Sequence, residues 1–252
     1  MLRPAALRRL IAPAFVAAAG LLALSWWAGK RLPEPPSLLQ DLRREPEQGP
    51  TDRAPFEFAY KGKRCFVRPV ASYELWGLVV SRNDIQSVSD IYHDATSVDT
   101  RDLCVVWGRN VESSDYLDAE FWSGPFTCYL RTAEGVRLDL TAVGNNHLIT
   151  DRPELRRALS RVELGDQVRL SGLLVDYQME DWGDFWRRTS TVRNDSGCEV
   201  LFLEQLDVLR RNRPLWHAAG RLAKALLLLL PLGWLATVVV EASRGRSSLG
   251  EL

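Results

Sequence analysis

The 252 residues lack the short motifs that carry much of enzyme chemistry. No phosphate-cradling P-loop, dinucleotide fingerprint, HExxH helix or zinc-finger spacing occurs, so nothing at the level of motif argues for an enzyme. Histidine is scarce, with three in the chain. The four cysteines form no CxxC or Cys/His pair with metal-ligand spacing. No cofactor and no metal site is therefore expected. An excess of either charge is also missing, since 32 basic residues balance 32 acidic ones. A nucleic-acid partner needs a basic face to neutralise phosphates, and none is expected here. No internal repeat is visible.

Uninterrupted apolar sequence is what the chain does have, at both ends. Ala225 to Val240 runs sixteen residues without a charge, between Lys224 and Glu241. Such a run reaches ~24 Å as a helix, and with Lys224 snorkelling past Leu222 and Ala223 it approaches the ~30 Å hydrocarbon core. A transmembrane helix is expected over 220–240, with 241–252 as a cytoplasmic tail; the competing reading is a buried core helix. Near the N-terminus, twenty uncharged residues from Leu10 to Gly29 lie between Arg3, Arg8, Arg9 and the pair Lys30, Arg31. Ala23 and Ser25 have the spacing of a signal-peptidase site. The length of the run and the interfacial pair Trp26–Trp27 instead favour a retained signal anchor over 10–29, with 1–9 cytoplasmic. Arg244 and Arg246 beyond the second span also favour cytoplasmic termini, although Arg210, Arg211, Arg213, Arg221 and Lys224 argue against that for the second span.

Charge is divided unevenly along the chain: 25 of the basic and 30 of the acidic residues lie between Lys30 and His217, leaving the middle at −5 and the ends at +5. Cys65, Cys104, Cys128 and Cys198 all fall in this middle part. An even number there is expected of an oxidising compartment, and two disulfides are favoured over zinc, against an alternative of four reduced thiols. Of three possible connectivities, Cys104 with Cys128 is preferred, because their strands are expected to be near neighbours; Cys65 and Cys198 would then pair.

Residues 30–55 carry six prolines among mixed charges and are expected to be a linker, with a short capped helix possible over Ser37 to Glu45. The folded domain is expected over 56–210. Strand signals occur at Ser72–Val80, Asp102–Trp107, Phe126–Arg131 and Val136–Leu140. The stretch from Arg82 to Glu120 holds nine acids against three arginines and reads as solvated surface. A loop, AVGNNHLIT, precedes a two-turn helix opened by Pro153. Gly165–Asp166 then turns the chain into a strand over Gln167–Tyr177, bent at Gly172, and a long loop leads to a last strand over Cys198–Leu209. The expected fold class is mainly β: a small OB-like barrel between an N-terminal and a C-terminal transmembrane helix, with an irregular sandwich as competitor.

The phrases YELWGLVVS (Tyr73–Ser81), DLCVVWGRNV (Asp102–Val111), GNNHLI (Gly144–Ile149), GDQVRLSGLLVDY (Gly165–Tyr177) and RRTSTVRNDSGCEVLFLEQLDVL (Arg187–Leu209) together resemble a group of bacterial envelope proteins without an assigned activity. The resemblance implies a domain anchored in the inner membrane and facing the periplasm. It carries over no functional residue.

Among candidate catalytic groups, His147 stands in the glycine-asparagine loop, where Asp151 could assist it as a general base. His93 has Asp94 and Asp99 nearby but no GxSxG elbow, and His217 reads as interfacial. The most unusual stretch is Asp176 to Arg193, where acids precede arginines with aromatics interleaved. Trp182, Trp186, Arg187, Arg188 and Arg193 are the candidate binding residues, suited to stacking on a sugar, nucleotide or peptide; the alternative is a loop folded back on the barrel with its charges paired locally. Its acids fit no EF-hand spacing. The expected function is a membrane-anchored periplasmic binding or scaffolding module with a protein partner in the envelope. The alternative is an envelope enzyme acting on a glycan or peptide through His147 and Asp151 or Asp184. A third reading gives the work to the spans themselves, through small residues such as Ala17 to Gly20.

Overall fold

The computed structural model describes residues 4–83, 85, 98–124, 127–195 and 197–249. In chain order its elements are α1 (Pro4–Gly29), β1 (Glu47–Gly49), β2 (Phe56–Tyr60), β3 (Lys63–Asn83), β4 (Arg101–Val106), α2 (Gly108–Ser113), β5 (Ala119–Ser123) and β6 (Cys128–Thr132). There follow β7 (Val143–Ile149), α3 (Pro153–Leu159), β8 (Gln167–Met179), β9 (Glu199–Arg210) and α4 (Pro214–Leu249). They form two compact units, one of Met1–Arg31 with Arg213–Leu252 and one of Leu32–Asn212.

In the first unit α1 and α4 pack antiparallel. A Cβ on Gly29 would lie 3.1 Å from His217, and one on Gly220 would lie 2.8 Å from Ser25 Oγ. The seam is made of small residues: Ala18, Ser25, Ala28 and Ala223 are buried, whereas Val16, Trp26, Leu228 and Leu232 point outward. Of the small residues expected to pack, only Ala18 does so; Ala17, Ala19 and Gly20 are exposed. Ser25 and Thr237 donate to carbonyls of their own helices, at Leu22 (2.8 Å) and Trp234 (2.7 Å). The apolar stretches, Arg9–Gly29 and Pro214–Glu241, are long enough to cross a membrane by length and composition.

The second unit is built on a mixed seven-stranded sheet, in the order β1-β3-β4-β7-β9-β8, with β2 also on β3. Strand β3, 21 residues long, pairs with β4 near its end and with β8 along most of its length. The pairings therefore run in a cycle from β3 through β4, β7, β9 and β8 back to β3, all antiparallel except β7 with β9. At Gly172 the register of β8 on β9 shifts, and a Cβ there would meet the Phe202 carbonyl oxygen at 2.1 Å; the expected bend is present and only glycine fits it. Leu75, Leu103, Val105, Leu148, Leu170 and Leu201, all fully buried, form one apolar cluster with Leu159 of α3. Each such side chain contributes ~1.5–3 kcal/mol of transfer free energy.

Several expectations fail for physical reasons. Residues from Leu32 onward are no linker: Leu42 is fully buried against Leu78 and Tyr116, Tyr116 Oη donates to Pro33 O (2.6 Å), and β1 pairs with β3. Prolines deny this segment regular helix, leaving two short 3-10 turns, Pro35–Ser37 and Gln40–Arg43, but they do not stop its leucines from being buried. No strand forms over Val136–Leu140; the strand is β7, in the segment expected as a loop. The expected third strand is instead β6, paired with β5 in a separate hairpin. The acidic stretch contains the buried strand β4, Asp102 included. His93 and Asp94 lie outside the described residues.

Candidate functional site

Strands β4 and β7 are antiparallel, with Asp102 opposite His147 and Cys104 opposite Asn145. Side chains two apart share a face, so Asp102, Cys104, Asn145 and His147 all point away from the leucine interior. Cys198, the residue before β9, joins them: Asn145 Nδ2 lies 3.7 Å from its sulfur, and the sulfur lies 3.9 Å from Thr127 Oγ1. The loop after β8 covers the group. It turns back by a two-way backbone bridge between Tyr177 and Arg187, both at 2.9 Å, which sends the Arg187 side chain inward.

The result is a buried relay. His147 Nδ1 is 2.7 Å from Asp102 Oδ1, and an Arg187 guanidinium N–H is 2.7 Å from His147 Nε2. His147 and Asp102 are each 1% exposed. Burial works to lower the imidazole pKa, but the Asp102 hydrogen bond, the Cys198 thiol and the Asp102 charge outweigh it and raise the ring to about 10. The positive charge of Arg187 opposes them. Two states follow: Nδ1–H bonded to Asp102 with Nε2 accepting from Arg187, or a doubly protonated ring facing a Cys198 thiolate. Burial raises the Cys198 thiol, and hydrogen bonding with His147, Asn145 and Thr127 together with the His147 charge brings it below the ordinary thiol value. Next along the chain, burial lifts Glu199 to about 7, helped by Asp195 and opposed by a backbone hydrogen bond and Arg193. Asp102 Oδ2, Asn145 Oδ1 and Arg187 Nε are buried without a hydrogen-bond partner among the described residues.

Asp151, the expected companion of His147, is exposed just before α3; the carboxylate on His147 is Asp102. Cys104 and Cys128 are disulfide-bonded as preferred, whereas Cys65 and Cys198 are not paired with each other. Burial, reinforced by Asp99, pushes the Cys65 thiol up to about 12. The five candidate binding residues do not form one surface. Trp182 packs on Tyr177 and Phe185 at 5.3 and 5.5 Å between rings, Arg187 turns inward, and Arg188 is exposed. Arg193 pairs with Glu45 (2.7 Å) and donates to Pro46 O (3.0 Å). Much of the loop is thus folded back on its own domain.

Trp186 is the exception. Arg68 lies over its ring at 3.7 Å, and both line an open groove of about 450 Å³ with Phe56, Glu57, Phe66 and Gln178. Glu57, Phe66 and Gln178 form one row across β2, β3 and β8. Among the described residues β2 pairs with β3 only, so its other edge, beside this groove, has no strand partner among them. The sequence could not pick out this groove, because Phe56, Phe66 and Arg68 read as ordinary strand residues. No protein-family model, curated protein or solved structure matches the chain.

Proposed function

We propose that the chain is a membrane-anchored protein of the bacterial inner membrane whose central domain faces the periplasm and binds or scaffolds a protein partner of the cell envelope. In this reading α1 and α4 span the bilayer as an antiparallel pair with both termini on the cytoplasmic side. The inverted burial of that pair supports it, with small residues inside and large apolar ones outside, as expected where lipid replaces water. The cycle of strand pairings, with α3 between its third and fourth strands and a parallel closing pair, supports an OB-like barrel. The Cys104–Cys128 disulfide agrees with an oxidising compartment.

The observation that carries the binding role is the groove at Phe56, Phe66 and Trp186 beside the edge of β2 away from β3. An extended segment of the partner would add to that edge by backbone hydrogen bonds and seat apolar side chains in the groove. Arg68 and Glu57 flank it with charges of both signs, suited to setting direction and register. The test is partner retention by the full chain carrying Trp186→Ala and Phe66→Ala, purified from membranes in mild detergent. Loss of a partner that the parent chain retains, with unchanged far-UV dichroism, is the expected outcome; equal retention would refute the groove as the contact.

A further inference from the structure

A disulfide and a further cysteine, Cys198, meet on one face of the sheet. Cys104 is the register partner of Asn145, and the parallel register of β7 on β9, with Asn146 beside Glu199, carries one step back to set Asn145 beside Cys198. Cys104, Asn145 and Cys198 therefore form a row across neighbouring backbones. With strands ~4.8 Å apart, the Cα atoms of Cys104 and Cys198 are about 10 Å from each other, beyond the ~7 Å limit for a disulfide. Cys128 stands over this row: its Cα is 6.0 Å from that of Cys104, and the hydroxyl of its neighbour Thr127 is 3.9 Å from the Cys198 sulfur. Of the two bonded cysteines, Cys128 is the one whose chain neighbour touches Cys198, which makes its sulfur the candidate target.

Cys198 also has what a nucleophilic thiol needs. His147, whose Nδ1 is held by Asp102 at 2.7 Å, interacts with the Cys198 thiol and favours its thiolate, and Cys198 is only part-buried. Cys65, by contrast, is fully buried in an apolar cluster. We propose that Cys198 is a nucleophilic thiol site whose substrate class is a disulfide, and that the Cys104–Cys128 bond is its first substrate. The Cys198 thiol passes its proton to His147 Nε2 as Arg187 gives up that nitrogen. The thiolate attacks Cys128 Sγ in line with the existing bond. The Cys128–Cys198 bond forms as the Cys104–Cys128 bond breaks, and the electron pair leaves on Cys104, which is then protonated. One thiol and one disulfide stand on each side of the step, so no oxidant or reductant is consumed.

The test uses the full chain in detergent, equilibrated in a reduced/oxidised glutathione buffer at pH 7, quenched with acid, alkylated and mapped by peptide mass spectrometry. The expected result is a Cys128–Cys198 disulfide beside the Cys104–Cys128 one, with Cys65 remaining a thiol. Cys104→Ser should transfer the bond wholly to Cys128–Cys198, and His147→Gln should slow alkylation of Cys198 by iodoacetamide about tenfold. The wild-type measurement needs no substitution, so it decides the matter even where a variant fails to fold. Cys104–Cys128 as the sole protein disulfide, with Cys198 found only as a thiol or a glutathione adduct, would overturn the proposal.

Discussion

On one face of β4 and β7, Leu103, Val105 and Leu148 meet apolar neighbours; on the other, Asp102 and His147 are buried almost as completely. The two faces are held by different physics. The leucine face gains in proportion to area removed from water, so each side chain contributes separately and its loss leaves a cavity. The polar face gains little by being buried, and it is stable only while Asp102, His147 and Arg187 satisfy one another. A single truncation there strands the remaining charges, whereas replacing the whole group removes the problem.

The largest effect is therefore expected from Asp102→Ala, which leaves the buried His147 without the carboxylate that holds its Nδ1 and should cost ~3–5 kcal/mol. Urea unfolding of the full chain in detergent, followed by tryptophan emission, measures it. The sharper form is the triple replacement Asp102→Leu, His147→Phe, Arg187→Leu, expected to cost much less than the single change; a cost that simply adds would break the comparison. Leu148→Ala on the other face should cost ~2–5 kcal/mol, and combining it with Leu75→Ala, on a strand that does not pair with β7, should add to within about 0.5 kcal/mol. Equal coupling on both faces would show that they do not differ in kind.

A smaller effect is expected at Glu199. Its carboxyl is raised to about 7 from an ordinary 4.5, so the folded state holds a proton that the unfolded state has lost. Its stability contribution is present below about pH 4.5 and is lost as pH rises through about 7. Glu199→Gln should therefore leave stability unchanged at pH 4 and raise it by ~1–2 kcal/mol at pH 8, discounted for partial exposure. A pH–stability curve for the two proteins reads this directly, and a parallel offset at both pH values would contradict it. Weakest of all should be Arg193→Ala, which removes an ion pair with Glu45, itself largely exposed, at a cost of about 1 kcal/mol or less.

The contrast between the faces also explains what the sequence disclosed. Strands β3, β4, β8 and β9 were legible, because alternating branched and aromatic residues mark a half-buried ladder, and so was α3 through Pro153 and the spacing of Leu155 and Leu159. Strand β7 was not, because Gly144, Asn145 and Asn146 are turn formers by local chemistry, and only their cross-strand partners make them strand residues. His147 was singled out, yet its partner was sought four residues away at Asp151 and not across the sheet at Asp102. The role of Arg187 depends on a loop folding back, which no local spacing records. The burial of Leu42 was hidden by the prolines around it. In the terminal helices, by contrast, composition alone indicated the apolar stretches, while which small residues form the seam needed the structure.

The most direct test of the binding reading is in-cell photocrosslinking from positions Trp186 and Phe66 in the groove, with exposed Leu140 as a control, followed by mass spectrometry of the membrane fraction. The account predicts adducts to one envelope protein from both groove positions and none from the control. Absence of protein adducts from the groove, or equal labelling from Leu140, would contradict it.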